Sequence, residues 1–254
     1  MDNTNIKERI QKGELLFGAF IRIPEPAVTE IFGYSGLDFI VIDLEHGPMS
    51  NYQAENLVRV SKGTELATFI RVREFSDTLI LRALDTGVSG IQIPQINTPE
   101  AARGAVDASR FYPDGMRGVC RFTRNAEYSH IPVDKYFKSA NDNTLVILQI
   151  EGAEGMKNID RILEVEGIDV IFLGPYDLSQ SLGLTGQVTH PKVLGAIEEV
   201  SKKARNRNIA VASFADKKET VKMHMDLGIQ LISIGVDTGI IYESIKGKVE
   251  NLRI

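Results

Sequence analysis

Residues 165–175, VEGIDVIFLGP, hold a glycine, a two-residue step and four apolar residues that run into a Gly-Pro corner. A glycine behind a stretch with helical spacing is the usual left-handed helix stop. The unbroken apolar run after it reads as a strand covered on both faces. The same plan recurs in YSGLDFIVIDLE (34–45), DTGVSGIQIPQI (85–96) and DLGIQLISIGVD (226–237). Segments ahead of these phrases, such as TLILRALD and NIDRILEVE, space their apolar residues as helices do. Repeated, this is the αβ step of a parallel sheet. LLFGAFIRI (15–23), ATFIRV (67–72), TLVILQIE (144–151) and IAVASFA (209–215) bring the strands to eight. Eight strands with helices between them predict a single (β/α)8 TIM barrel, an α/β fold, over residues 1–254. No glycine-rich dinucleotide fingerprint follows a strand, which weakens the open-sheet alternative.

Composition agrees with one ordinary globular domain. Of 254 residues, 43 % are hydrophobic and 25 % charged, and the formal net charge is −5. That balance gives no electrostatic footprint for nucleic acid, and the basic cluster Lys202-Lys203 with Arg205 and Arg207 reads as a solvated helix face. A lone cysteine, Cys120, excludes an internal disulfide and fits a reducing cytoplasm. The opening MDNTNIKERIQKGE has no apolar core, so no signal peptide is expected. No apolar run approaches the roughly 20 residues of a membrane span. The long excursion SRFYPDGMRGVCRFTRNAEYSHIP (109–132), between the fourth and fifth strands, is expected to be a functional loop or lid.

A barrel of this kind places its chemistry at the carboxyl ends of the strands. Polar residues do gather there: Asp43-Leu44-Glu45-His46 after the second strand, Arg71-Val72-Arg73 after the third, and Gln149-Ile150-Glu151 after the fifth. Gly174 and Asp177 follow the sixth, and Asp237 ends the eighth. Glu151 and Asp177 leave neighbouring strands, so their carboxylates can converge. Two bare carboxylates repel, and three arrangements relieve that. A hard divalent cation between them is one, an acid–base pair the second, and two helix caps with no shared partner the third. Zinc lacks its usual histidine and cysteine ligands apart from His46. No lysine stands inside a strand, which disfavours Schiff-base chemistry and leaves a metal-stabilised enolate open.

IDLEHGP, FIRV, GIQIPQINTPEAAR, RFYPDGMRGV, IGVDT and LVILQIEGAEGMKNIDRILEVEGIDVIFLGPYDLS together resemble the HpcH/HpaI aldolase family, over roughly residues 10–242. The resemblance implies a (β/α)8 barrel whose C-terminal helix packs on a neighbouring subunit, in a homohexamer built as a trimer of dimers. It implies a divalent metal (Mg²⁺, Mn²⁺ or Co²⁺) and cleavage or formation of 4-hydroxy-2-oxo acids, with pyruvate and an aldehyde as the small-molecule partners. No nucleic acid and no membrane enter that picture.

Carried onto this chain, the resemblance assigns the metal to Glu151 and Asp177. Pyruvate's carboxylate falls to Gln149 and the backbone N–H groups near Gly174 and Tyr176. Arg71 faces the developing oxyanion, and His46 is the base that takes the C4 hydroxyl proton. Asp85 matches an aspartate that raises that histidine's basicity. Yet Asp85 precedes Gly87 and the fourth strand, at the foot of its own barrel, so the pairing requires another subunit. Two departures stand out: Glu45-His46-Gly47-Pro48-Met49 where several members read E-H-A-P-N, and Val119-Cys120-Arg121-Phe122-Thr123-Arg124 where they carry small residues. Arg121 and Arg124 either bind an acidic aldehyde or are solvated loop charges. A decarboxylase or lyase for an oxaloacetate-like 2-oxo acid is the alternative enzyme, and a non-catalytic barrel the third reading.

Overall fold

The computed structural model describes residues 6–253. Its strands are β1 (Leu16–Ile21), β2 (Phe39–Asp43), β3 (Ala67–Arg71), β4 (Gly90–Ile93), β5 (Leu145–Ile150), β6 (Val170–Leu173), β7 (Ala210–Phe214) and β8 (Leu231–Val236). They pair in parallel and in sequence order, and β8 returns to β1, so the barrel is closed. Helices α1 (Ile6–Gln11), α2 (Pro26–Tyr34), α3 (Asn51–Ser61), α4 (Asp77–Asp85), α5 (Pro99–Ser109) and α6 (Val133–Asn143) precede β5. After it come α7 (Ala153–Lys157), α8 (Ile159–Ile162), α9 (Pro175–Ser181), α10 (Pro191–Arg205), α11 (Lys218–Asp226) and α12 (Asp237–Leu252).

The glycine in each recurring phrase does what its position predicts. Gly36, Gly87, Gly167 and Gly228 all take positive φ, between +79° and +90°, where the chain leaves a helix for the next strand.

Period-two alternation sorts each strand into two cores. Outward residues such as Ile40, Ile42, Ile70, Ile91, Leu148 and Ile171 pack under the helices. Inward residues Leu16, Phe20, Phe39, Phe69, Ile147, Phe172 and Leu231 fill the barrel. Ile6 and Ile10, one turn apart on α1, join that inner core and plug its foot. The polar composition of the first residues hid this role. Arg9 ties the plug down through Asp38 and Glu14, each at 2.7 Å. Among the described residues, no helix is long and apolar enough to cross a membrane.

The excursion 109–132 lies at the foot of its own barrel, not beside the carboxyl rim. Arg110 donates to the carbonyl of Thr144 and pairs with Asp169 at 2.8 Å, and Arg124 donates to the carbonyl of Thr86. All three partners precede strands. The reason is topological: α5 has already carried the chain back down from the rim before the excursion begins.

Helix α12 leaves the barrel after its first turn. Asp237 is its one buried residue among those described, and Ile241, Tyr242, Ile245, Val249 and Leu252 are exposed.

Candidate active site

Continuing the inward alternation to the strand ends replaces apolar side chains with polar ones. Arg22 just past β1, Asp43 on β2, Arg71 on β3, Gln92 on β4 and Gln149 on β5 form the top of the interior. The register sets Asp43 beside Arg71, and Arg71 beside Gln92. A cavity of about 230 Å³ opens above them, lined in part by Arg22, His46, Arg71, Gln149, Gly174 and Asp177. A larger hollow of about 340 Å³, bordered by Ala67, Asn125 and Tyr136, lies at the foot. Barrel chemistry belongs to the strands' carboxyl ends, so the smaller cavity is the candidate.

Asp43 organises one side. It is fully buried and takes Arg71 in a two-pronged pair, Nε to Oδ1 at 3.0 Å and Nη2 to Oδ2 at 2.9 Å. Arg22 Nε donates to Oδ2 at 2.8 Å, and the backbone N–H groups of Glu45 and His46 reach Oδ1 at 3.2 Å. Burial pushes this carboxyl up, but Arg71's hydrogen bond and charge outweigh it and hold Asp43 below its ordinary value. Arg71 is thereby locked, with its side chain 9 % exposed and its guanidinium 4.7 Å over the Phe20 ring. Its Nη1 lies 3.1 Å from Glu45 Oε2.

The carboxylates occupy the other side. Glu151 accepts from the N–H of Gln95 at 3.1 Å and from the Gln149 amide, which itself accepts from Gln92. Gln95 adopts φ +56°, a left-handed conformation that aims its N–H at Glu151. Gly174 explains the corner in VIFLGP. A Cβ there would sit 3.2 Å from Glu151 Oε2 and 3.6 Å from Asp177 Oδ2, so both oxygens face one methyl-sized space. Burial raises the Glu151 pKa, and Asp177 and Glu45 add to it. Burial likewise raises Glu45, against the pull of Arg71, with Asp43 and Asp177 pushing the same way as burial. Glu45 Oε2, although buried, accepts no well-aligned hydrogen bond among the described residues and has the Arg71 guanidinium as its neighbouring cation.

These residues fit a hard divalent cation. Two oxygen donors face a common space, a third carboxylate stands in repulsive range, and every donor is of the type Mg²⁺ or Mn²⁺ prefers. Among the described residues, no three Asp, Glu, His or Cys side chains form a cage. An ion here would take two protein carboxylates and leave its other positions to water and substrate, as Mg²⁺ commonly does.

The structure brings His46, Arg71, Gln149, Gly174, Tyr176 and Asp177 onto one cavity, with Glu151 beside Gly174. His46 is 59 % exposed at the mouth, 3.8 Å from Glu45 Oε2. Tyr176 sets its ring 6.1 Å from Phe214, and burial raises its hydroxyl pKa. Asp85 is not among them: it ends α4 at the foot and pairs with Arg117 at 2.9 Å. Asp237, on the rim, is structural; it accepts from the N–H groups of Arg22, Ile23 and Thr238. Sequence reasoning missed Arg22, Gln92 and Gln95 and gave Asp43 no role. Counting inward positions past each strand end exposes Arg22, Asp43 and Gln92, whereas nothing in the sequence signals the φ of Gln95.

A closed parallel barrel whose rim opposes a locked arginine to a carboxylate pair is built to manage negative charge on a small oxygenated substrate. The sequence profile described as HpcH/HpaI aldolase/citrate lyase matches residues 16–244. The chain belongs to that family. It is 32 % identical to a hydroxypyruvate/pyruvate aldolase of Roseobacter denitrificans, covering 91 % of this chain and 90 % of that one. It is 34 % identical to 2-keto-3-deoxy-L-rhamnonate aldolase of Escherichia coli strain K12, over 91 % and 86 %. A crystal structure of a family protein from Burkholderia cenocepacia superposes with a TM-score of 0.93 at 30 % identity, covering 99 % of this chain and all of that one.

Proposed function

We propose that the protein is a divalent-metal-dependent pyruvate aldolase, a carbon–carbon lyase that interconverts 4-hydroxy-2-oxo acids with pyruvate and an aldehyde. The observation that carries it is the convergence of Glu151 and Asp177 on the space beside Gly174, across the cavity from Arg71. Both carboxylates would hold the ion, whose contribution when bound is Lewis-acid stabilisation of negative charge on the oxo acid.

The chain's own groups do the rest. Cleavage requires a base to take the C4 hydroxyl proton; the C4 carbonyl then forms as the C3–C4 electron pair passes to the pyruvate half. His46, at the mouth, is the base that would take that proton. Arg71, fixed by Asp43, presents an unvarying positive charge to the electron-rich half. The Gln149 amide and the first-turn N–H groups of α9, Tyr176 among them, hold the pyruvate carboxylate. Phe20, Phe172 and Phe214 keep water from the enolate.

The exposed apolar face of α12 is covered by a second copy, in a hexamer built as a trimer of dimers. Asp85 of the partner subunit then approaches His46, and catalysis requires the oligomer. The enzyme works in the cytoplasm on small molecules alone. The test is pyruvate release from a panel of 4-hydroxy-2-oxo acids, with oxaloacetate alongside and EDTA as control. EDTA-sensitive release from the hydroxy-oxo acids supports the aldolase; release from oxaloacetate alone would transfer the assignment to a decarboxylase.

A further inference from the structure

Two arginines share Asp43, and they are used differently. All three nitrogens of Arg71 face a carboxylate: Nε and Nη2 face Asp43, and Nη1 faces Glu45. Arg22 commits only Nε; its terminal amino groups make no hydrogen bond to any described residue, and its side chain is 34 % exposed. It is nonetheless held firmly. Its own N–H and that of Ile23 are anchored on buried Asp237 at 2.9 and 2.8 Å. Its stem passes the turn after His46, with Cγ 3.6 Å from where a Cβ on Gly47 would stand. The result is a half-open guanidinium, fixed in place, on the wall of the 230 Å³ cavity.

Position says what it can reach. In an eight-strand ring closed in sequence order, β1 stands opposite β5. Arg22 therefore enters the mouth from the side opposite Glu151 and meets Arg71 at Asp43, whose Oδ2 lies 2.8 Å from Arg22 Nε and 2.9 Å from Arg71 Nη2. The far end of the substrate is the aldehyde. Two free, coplanar donors on a fixed fork match an oxyanion held in bidentate fashion.

We propose that Arg22 is a specificity-determining residue that selects an aldehyde carrying a carboxylate. This rests on the aldolase reading. The cavity is small for two substrates at once, which favours a short oxo acid with a carboxylate over a bulkier phosphate. The rim thus supplies a cation from the chain's own site, whereas Arg121 and Arg124 lie at the foot of the same barrel.

The test compares kcat/KM for matched pairs in the aldol direction: glyoxylate against isobutyraldehyde, and succinic semialdehyde against isocaproaldehyde. In each pair an isopropyl group replaces the carboxylate. Wild type is expected to prefer the charged member. Arg22→Leu is expected to cut that preference at least about tenfold, the worth of one or two charge-assisted hydrogen bonds. Arg22→Lys keeps the charge without the fork and falls between. Reading the ratio removes any general loss from disturbing Asp43, and Arg22→Gln serves if the leucine variant does not fold. A ratio unchanged by substitution, or a wild-type preference for the neutral members, overturns the proposal. So does a preference for glycolaldehyde phosphate over both carboxylates, which would reassign the subsite to phosphate. Failure of the parent reading looks different: no aldol product from wild type with any aldehyde.

Discussion

At the scale of single residues, the site depends on which charges are buried with partners and which without. Arg71 and Asp43 form a buried two-pronged pair, and removing one partner of such a pair commonly costs roughly 3–5 kcal/mol. Arg71→Met should therefore lower stability by a few kcal/mol, softened by Arg22, and lower kcat at least about 100-fold. Urea unfolding and steady-state kinetics check the two together. Loss of stability with full activity would separate Arg71 from the chemistry. His224 gives a second prediction, away from the site. It is fully buried on α11, neither ring nitrogen has a hydrogen-bond partner among the described residues, and burial depresses its pKa to about 4. Below pH 6.5 the unfolded chain takes up a proton that the folded chain refuses until about pH 4, so stability falls as pH drops through that window. The full loss is roughly 3 kcal/mol. Unfolding free energies measured at pH 7 and pH 4.5 should converge for His224→Phe if its bulk fits. A slope identical to wild type would assign the acid sensitivity elsewhere. Sequence showed His46 and the two carboxylates beside Gly174 because each follows an apolar strand by one to four residues. It hid His224, since one histidine in KETVKMHMD looks like any other until α11 is docked.

At the scale of elements, the fold was legible because one phrase repeats. Gly36, Gly87, Gly167 and Gly228 mark four of the eight helix-to-strand passages, and each adopts the left-handed conformation its place implies. Gly36 has open space where a Cβ would go, whereas at Gly167 that atom would lie 2.7 Å from Val106 Cγ1. Gly36→Ala should thus cost only backbone strain, roughly 1–2 kcal/mol. Gly167→Ala should cost that plus whatever Val106 must yield. Equal losses in chemical denaturation would mean that the valine moves freely. Boundaries were less legible: the apolar runs reach one or two residues past most strands, because apolar residues also floor the rim and foot. The placement of the excursion 109–132 was less legible for a different reason. Length alone suggests a lid, but only the direction of α5 decides which face it joins.

At the scale of the whole molecule, a single chain leaves two surfaces unfinished. The apolar face of α12 projects with nothing against it among the described residues, and Asp85 sits on the foot while His46 sits on the rim. If a second copy covers α12, deletion of residues 241–254 should lower the oligomeric state measured by light scattering. It should reduce aldolase turnover by more than any loss of folded protein. A truncated chain that keeps both its assembly and its activity would place the interface elsewhere. No residue pattern reveals such a contact directly, because the helix's apolar spacing reads equally well as packing on its own barrel.

The proposed chemistry requires Glu151 and Asp177 to share one cation. Calorimetric titration of metal-stripped protein with Mn²⁺ addresses that without any substrate. Wild type should bind one ion per chain, and Glu151→Gln or Asp177→Asn, still folded by circular dichroism, should bind at least about tenfold more weakly. Folded variants that take up the ion with wild-type affinity would contradict the assignment.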